Sequence, residues 1–235
     1  MSTERRPTIG LVISERDRLT ARELEHELRS RSALSAVAVP TPGGELGYTR
    51  MAESAPAQAA SAFAGADLCG VLFASSAAEC LLAPEGVDDL CGDLADLAGA
   101  PASGVLSLLK AEVKRLGIER PVLLSSFDWP LTLMLRSELL REGVLVPHMA
   151  CLFPADGTET AEVPAQDVAD FVLQNLPADA DGVVFVGENA RSFEARRLLA
   201  GRLAIPMITS TGLLVAKAEA YLERRRLKEE AGRHA

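Results

Sequence analysis

Aromatic residues are scarce in this chain. They make up 4% of its 235 residues, with a single tryptophan. Since 48% of the chain is hydrophobic, its core is expected to be built from Leu, Val and Ala. Positive charge is also in short supply: 24 Lys and Arg against 33 Asp and Glu leave a net charge of -9. No face can then be basic enough to neutralise a phosphate backbone, which argues against a nucleic-acid partner. The one basic run, Arg224-Arg225-Arg226, sits among Glu223, Glu229 and Glu230 and reads as a solvated helix face. No apolar run approaches the ~20 residues needed to span a bilayer, so no membrane partner is expected. Residues 1–7 are polar and charged, without the apolar segment of a signal peptide, which points to a cytoplasmic location.

Other familiar chemistry is missing as well. The four cysteines (Cys69, Cys80, Cys91 and Cys151) show no C-x-x-C spacing, so neither zinc nor a redox pair is suggested. They read as small buried hydrophobes. Gly43-Gly44 and Gly47 follow Pro40-Thr41-Pro42 in what reads as a turn, not at a strand-to-helix junction, so a dinucleotide fingerprint fails on context. A Walker A lysine, H-E-x-x-H and G-x-S-x-G are all absent. The expectation is chemistry without a cofactor or metal, or no chemistry at all.

What the chain does contain is a repeated pattern. Asp67-Leu68-Cys69-Gly70-Val71-Leu72-Phe73-Ala74-Ser75 returns as Asp179-Ala180-Asp181-Gly182-Val183-Val184-Phe185-Val186-Gly187, 112 positions later. The same offset carries Gly10-Leu11-Val12-Ile13 onto Val122-Leu123-Leu124-Ser125. Short β-rich runs alternate with Ala-, Leu- and Arg-rich helical stretches, the pattern of parallel βαβ units. Strands are predicted at 8–13, 35–39, 69–74, 101–103, 121–125, 144–152, 182–186 and 206–209. Helices are predicted at 17–31, 52–64, 87–98, 104–116, 129–142, 166–175, 189–203 and 212–230. The fold expected is α/β: two pseudo-twofold-related, Rossmann-like halves, each a four-stranded parallel sheet flanked by helices. Residues 1–116 form the first half and 117–211 the second, with helix 212–230 free to pack back onto the first.

Loops after the strands of a parallel sheet line its ligand crevice. They nominate residues 14–17, 75–79, 125–129 and 187–191, with Ser75 and Gly187 expected to face each other across a cleft. At these loops the chain resembles the aspartate/glutamate racemase superfamily, in its maleate isomerase and arylmalonate decarboxylase branch. The resemblance rests on Phe73-Ala74-Ser75-Ser76, Leu116-Gly117, Asn189-Ala190-Arg191-Ser192 and residues 206–212. It implies a cofactor-independent site in which two thiols, one from each half, move a proton or add to a double bond. In this chain the two thiol positions correspond to Ser75 and Gly187. The tyrosine of the family's T-P-Y motif corresponds to Phe127, and an asparagine near the first strand corresponds to Asp17.

The loop residues carry competing roles. Ser75 and Ser76 precede a helix, where serine caps as readily as it binds or attacks. Glu188 follows Gly187 directly, as a general acid/base or as an acid that favours a helix N-terminus. Asn189 and Arg191 bind a ligand or cap a helix. Several acids on these loops (Glu15, Asp17, Glu79 and Asp128) would favour a neutral or amine-bearing ligand if they lined the cleft. Trp129 walls a pocket or forms a subunit contact. His148 reads as a satisfied strand histidine, while His26 and His234 fall in a charged helix and on the tail.

Together these readings give an enzyme acting on a small carboxylate or amino-acid-like substrate, of isomerase, decarboxylase or lyase type. Glu188 and Ser75 would be catalytic, and Asp17, Ser76, Ser125, Phe127, Gly187 and Asn189 substrate-binding. The rival reading is a catalytically silent homologue that binds a small ligand or a partner subunit. The sequence leaves the oligomeric state open, a homo-oligomer included.

Overall fold

The structure, a computed structural model, describes residues 6–82, 84–154 and 159–233. His234 and residues 1–5 lie outside the described residues. Two compact units are present. The first draws on Met1–Arg16, Thr20–Val105 and Leu214–Ala235, and the second on Asp17–Leu19 and Leu106–Leu213.

In the first unit the strands are β1 (Thr8–Ser14), β2 (Ala33–Val39), β3 (Leu68–Ala74) and β4 (Ala102–Gly104). They form one parallel sheet in the order β2-β1-β3-β4. The intervening helices are α1 (Thr20–Leu28), α2 (Glu45–Ala62), α3 (Ser76–Cys80) and α4 (Pro84–Ala98). The second unit opens with α5 (Val105–Leu116), whose residues from Leu106 belong to it. It continues through β5 (Val122–Ser125), α6 (Trp129–Arg141), β6 (His148–Cys151), α7 (Ala165–Gln174), β7 (Val183–Val186), α8 (Ser192–Leu198) and β8 (Met207–Thr209). Its sheet runs β6-β5-β7-β8, also parallel. Helix α9 (Ser210–Arg233) closes the chain. Each unit is therefore a four-stranded parallel sheet with helices, connected in the same order.

Strands β5 and β7 are buried along their whole length, and β1 and β3 almost so, which is how strands covered on both faces read. The first core gathers Val12, Met51, Val71, Phe73 and Leu94, and the second Val122, Leu124, Val172, Val183 and Phe185.

The glycine in each copy of the repeated motif has a packing role. A Cβ at Gly70 would overlap the ring of Tyr221, which α9 lays across β3. A Cβ at Gly182 would come within 2.8 Å of the Ile118 side chain. The acids beside these glycines anchor the same coverings. Asp67 takes both 2.8 Å hydrogen bonds of the Arg225 guanidinium on α9. Asp181 accepts from the backbone N–H groups of Glu119 and Arg120, at 2.8 and 3.0 Å.

Several boundaries differ from the sequence reading, each for a local reason. Helix α1 starts at Thr20 instead of 17, because the Asp17 carboxylate accepts from Leu19 N–H and holds 17–19 in an Asx turn. Helix α2 starts at Glu45 instead of 52. Gly44, at φ 79°, turns the chain into the helix, and Gly47 lies in the first turn against the Pro42 carbonyl, where no side chain fits. Strand β6 is confined to His148–Cys151, since Pro147 cannot donate to a ladder and Val144 and Val146 are buried from a loop. Helix α8 spans Ser192–Leu198 only, and the helix expected after Ser75 is the short α3, which already includes Ser76. Helix α5, placed by sequence in the first half, belongs with the second, where Lys110 on α5 pairs with Glu138 on α6 at 2.6 Å.

The Gly70 notch gives a direct stability test. Gly70→Ala is expected to cost about 2–3 kcal/mol in urea unfolding by displacing Tyr221. Tyr221→Phe should cost only about 1 kcal/mol, for the lost 2.8 Å bond to Ser103. Equal, negligible effects would show that α9 does not seat on β3.

Candidate functional site

In each unit all four strands point the same way, so their C-terminal ends share one edge of the sheet. In the second unit that edge is shaped by Gly187, which follows β7. Its φ of 154° lies in the region that L side chains rarely adopt, and an added Cβ would overlap the Ser126 hydroxyl. Its N–H donates to Ser210 Oγ at 3.1 Å. No side chain, that of cysteine included, fits at 187 while Ser126 stays where it is. The next residue, Glu188, is 6% exposed and so does not face open solvent. Asn189 is half-buried, and its Oδ1 accepts the Arg18 N–H at 2.9 Å, tying the 17–19 turn to the loop after β7. Asp17, Glu188 and Asn189 are thus brought to one rim.

The neighbouring strand end is a hydroxyl and thiol cluster. Ser125 Oγ lies 2.6 Å from Thr132 Oγ1, and both residues are fully buried. Thr132 Oγ1 is 3.3 Å from Cys151 Sγ on β6, whose Cα is in register with that of Ser125. Ser125 Oγ also accepts from the N–H of half-buried Phe127 at 3.3 Å. Asp128 caps α6 through Leu131 N–H at 3.1 Å. Two further hydroxyls, Ser192 Oγ and Thr211 Oγ1, are buried in the first turns of α8 and α9 with no partner among the described residues.

In the first unit Ser75 is 3% exposed and caps α3, accepting from Ala78 N–H at 3.3 Å. Ser76 and Glu79 are buried beside it. The Glu79 carboxylate packs on Gly104, where a Cβ would overlap it. Burial first, and then the charge of Glu79, pushes the Cys91 thiol up to about 11. Ser14 Oγ meets Thr41 Oγ1 at 2.9 Å, and Glu15 Oε1 accepts the Thr41 N–H at 2.8 Å.

Three residues depart from the sequence reading. Cys151 and Cys91 are only partly buried, so the cysteines are not uniformly core residues. Cys151 moreover stands at the functional edge. His148 is exposed at the opposite end of β6, 3.7 Å from Asp179, and is not an enclosed structural histidine. Thr41, Cys151, Ser210 and Thr211 also stand at strand ends, after or at the close of β2, β6 and β8, so the strand-end rule that nominates Ser75 applies to them as well. Among the described residues, no group of three His, Cys, Asp or Glu side chains is arranged to hold a metal ion, and no helix is long and apolar enough to cross a membrane.

No protein-family profile and no curated protein sequence matches the chain. Solved structures do. Maleate isomerase Iso from Pseudomonas putida superposes with a TM-score of 0.83 at 14% identity, over 92% of this chain and 93% of that one. Arylmalonate decarboxylase gives 0.77 at 17%, over 92% of each chain. A Nocardia farcinica maleate cis-trans isomerase variant, carrying a covalently bound succinylcysteine intermediate, gives 0.78 at 17%, over 92% and 93%. The chain has the α/β architecture of these enzymes, with two four-stranded parallel sheets.

Two outcomes follow from the site geometry. Gly187→Ala should destabilise by about 2–3 kcal/mol, and adding Ser126→Gly should recover part of that loss; a neutral Gly187→Ala would reject the conformation assigned there. In an Ellman titration of the native chain at pH 8, Cys151 should react first and Cys91 slowly, its thiol being protonated. A fast phase that survives Cys151→Ala would contradict this order.

Proposed function

We propose that the chain is a cofactor-independent enzyme of the aspartate/glutamate racemase superfamily acting on a small carboxylate or amino-acid-like substrate, by an isomerase, decarboxylase or lyase reaction. The observation that carries this reading is Glu188: a buried carboxylate at the C-terminal end of β7, on the loop that Asn189 fastens to the 17–19 turn. A carboxyl group withdrawn from solvent and held by fixed backbone is suited to general acid/base work. As a base, Glu188 would take the proton from the carbon next to the substrate carboxylate. As an acid in a decarboxylation, it would protonate that carbon once the C–C bond has broken, CO2 has left and the electron pair has stayed behind. Asn189 and the unpartnered hydroxyls of Ser192 and Thr211 supply hydrogen bonds for the substrate. In the first unit the Ser75 oxygen accepts a capping bond while its O–H remains to donate.

The succinylcysteine of the Nocardia enzyme shows how a relative with this fold uses a thiol. The present chain is proposed to work without the thiol pair, its carboxylate taking over the proton. Gly187 favours a second reading as well, a silent homologue that binds a small ligand, because the position has no room for a reacting side chain.

A thermal-shift screen of small acids, amino acids and amides, followed by turnover assays on the binders, separates the two. Glu188→Gln should stay folded, keep binding and lose turnover by about 100-fold or more. Unchanged turnover would reject Glu188 as the acid/base, and binding without turnover across the panel would establish the silent reading.

A further inference from the structure

We propose that the first turn of α9, together with Arg196 on α8, is a seat for a small carboxylate. This deepens the proposed function, on whose reading of Ser192 and Thr211 as hydrogen-bond donors to the substrate it rests. Three hydroxyls stand in a row where β8 passes into α9, and two are already engaged. Thr209 Oγ1 caps the helix by accepting Gly212 N–H at 3.2 Å, and Ser210 Oγ accepts Gly187 N–H at 3.1 Å. Thr211 is fully buried, and its hydroxyl has no partner among the described residues. A helical side chain leans toward the N-terminus of its helix. The Thr211 hydroxyl is thereby carried to the end of α9, where the first N–H groups have no intrahelical acceptor.

A cation stands at the same turn. An added Cβ at Gly212 would come within 2.9 Å of Arg196 Nη1 and 3.3 Å of the Phe193 ring. The lack of a side chain at 212 lets the guanidinium reach the helix end. There it meets the positive pole of a 24-residue helix, which favours anions and disfavours cations. Among the described residues no acid pairs with Arg196 to offset this. Glu194 faces Arg191 at 3.3 Å. Glu112, whose charge reaches Arg196, has both carboxylate oxygens on Arg115 N–H groups at 2.7 Å. Ser192 lies four residues before Arg196, on the same face of α8, and adds a second buried hydroxyl without a partner.

One bound anion answers all of these conditions. It accepts from the two hydroxyls and the free N–H groups, and it neutralises the guanidinium. A carboxylate suits the place because its two oxygens match the planar fork of arginine. Arg196 is exposed, so it forms the solvent-side wall and is the part that moves to admit the ligand. Through Ser210 the seat shares the strand-end edge that carries Gly187 and Glu188.

Sodium acetate is the probe, titrated into the full chain against sodium chloride at equal ionic strength. Acetate should raise the melting temperature and shift the amides of Thr211, Gly212 and Gly187 saturably, with a dissociation constant on the order of millimolar. Arg196→Gln, at an exposed position, should stay folded and weaken acetate binding at least about tenfold, with Arg196→Lys recovering part of the loss. Thr211→Val removes an unsatisfied buried hydroxyl while keeping the side-chain shape. That variant should melt higher than the native chain in chloride and lose the response to acetate. Equal effects of chloride and acetate, or acetate binding indifferent to Arg196→Gln, would overturn the seat. A Thr211→Val chain that melts lower in chloride would overturn it too, by showing the hydroxyl already bonded within the protein. Sulfate binding with acetate refused would overturn the choice of carboxylate. None of these readouts uses turnover: a chain that binds acetate here yet catalyses nothing keeps the seat and fails the proposed function.

Discussion

The backbone at Gly187 is the constraint on which the functional reading rests. Its φ of 154° and the Ser126 side chain that an added Cβ would overlap favour glycine, and its N–H donates to Ser210 Oγ. With those bonds fixed, the chain emerges from β7 so that Glu188 is buried and Asn189 receives Arg18 N–H. A side chain at 187 would force either Ser126 or the backbone to move, and a backbone shift would carry the Glu188 carboxylate with it. The acid/base role proposed for Glu188 therefore depends on a backbone conformation as much as on a carboxyl group.

That conformation is held by the scaffold behind it. Parallel pairing of β5, β6, β7 and β8 delivers Ser125, Cys151, Gly187 and Ser210 to one edge. The sheet in turn is clamped at its far end, where Ile118 fills the space left open by Gly182 and Asp181 accepts two backbone N–H groups. The first unit repeats the device with different partners: Tyr221 over Gly70, and Arg225 on Asp67. A glycine that admits a bulky side chain, next to an acid that ties down the covering segment, explains why both residues recur in the two motifs.

Much of this was legible in the sequence. Continuous apolar runs such as Gly70-Val71-Leu72-Phe73 suit strands buried on both faces, and their alternation with helical stretches is the pattern of parallel connection. The caps Ser75 and Asp128 were readable because short polar side chains before a helix have one dominant local use. Other features depended on distant neighbours. Gly44 and Gly47 look like a turn until the Pro42 carbonyl is seen packed against Gly47 within a helix. Val144 and Val146 mimic a strand because burial alone made them apolar. Gly187 offers no sign in sequence that its φ excludes side chains, and Cys151 gains meaning only from its register with Ser125. Local chemistry was visible, while pairing across the fold was not.

The most direct measurement is a titration of the 15N-labelled full chain with small carboxylates, followed by amide chemical shifts. Saturable shifts centred on the amides of Gly187, Glu188 and Asn189 are expected for a binding acid. Binding that leaves those three amides unmoved and perturbs residues elsewhere would contradict the account.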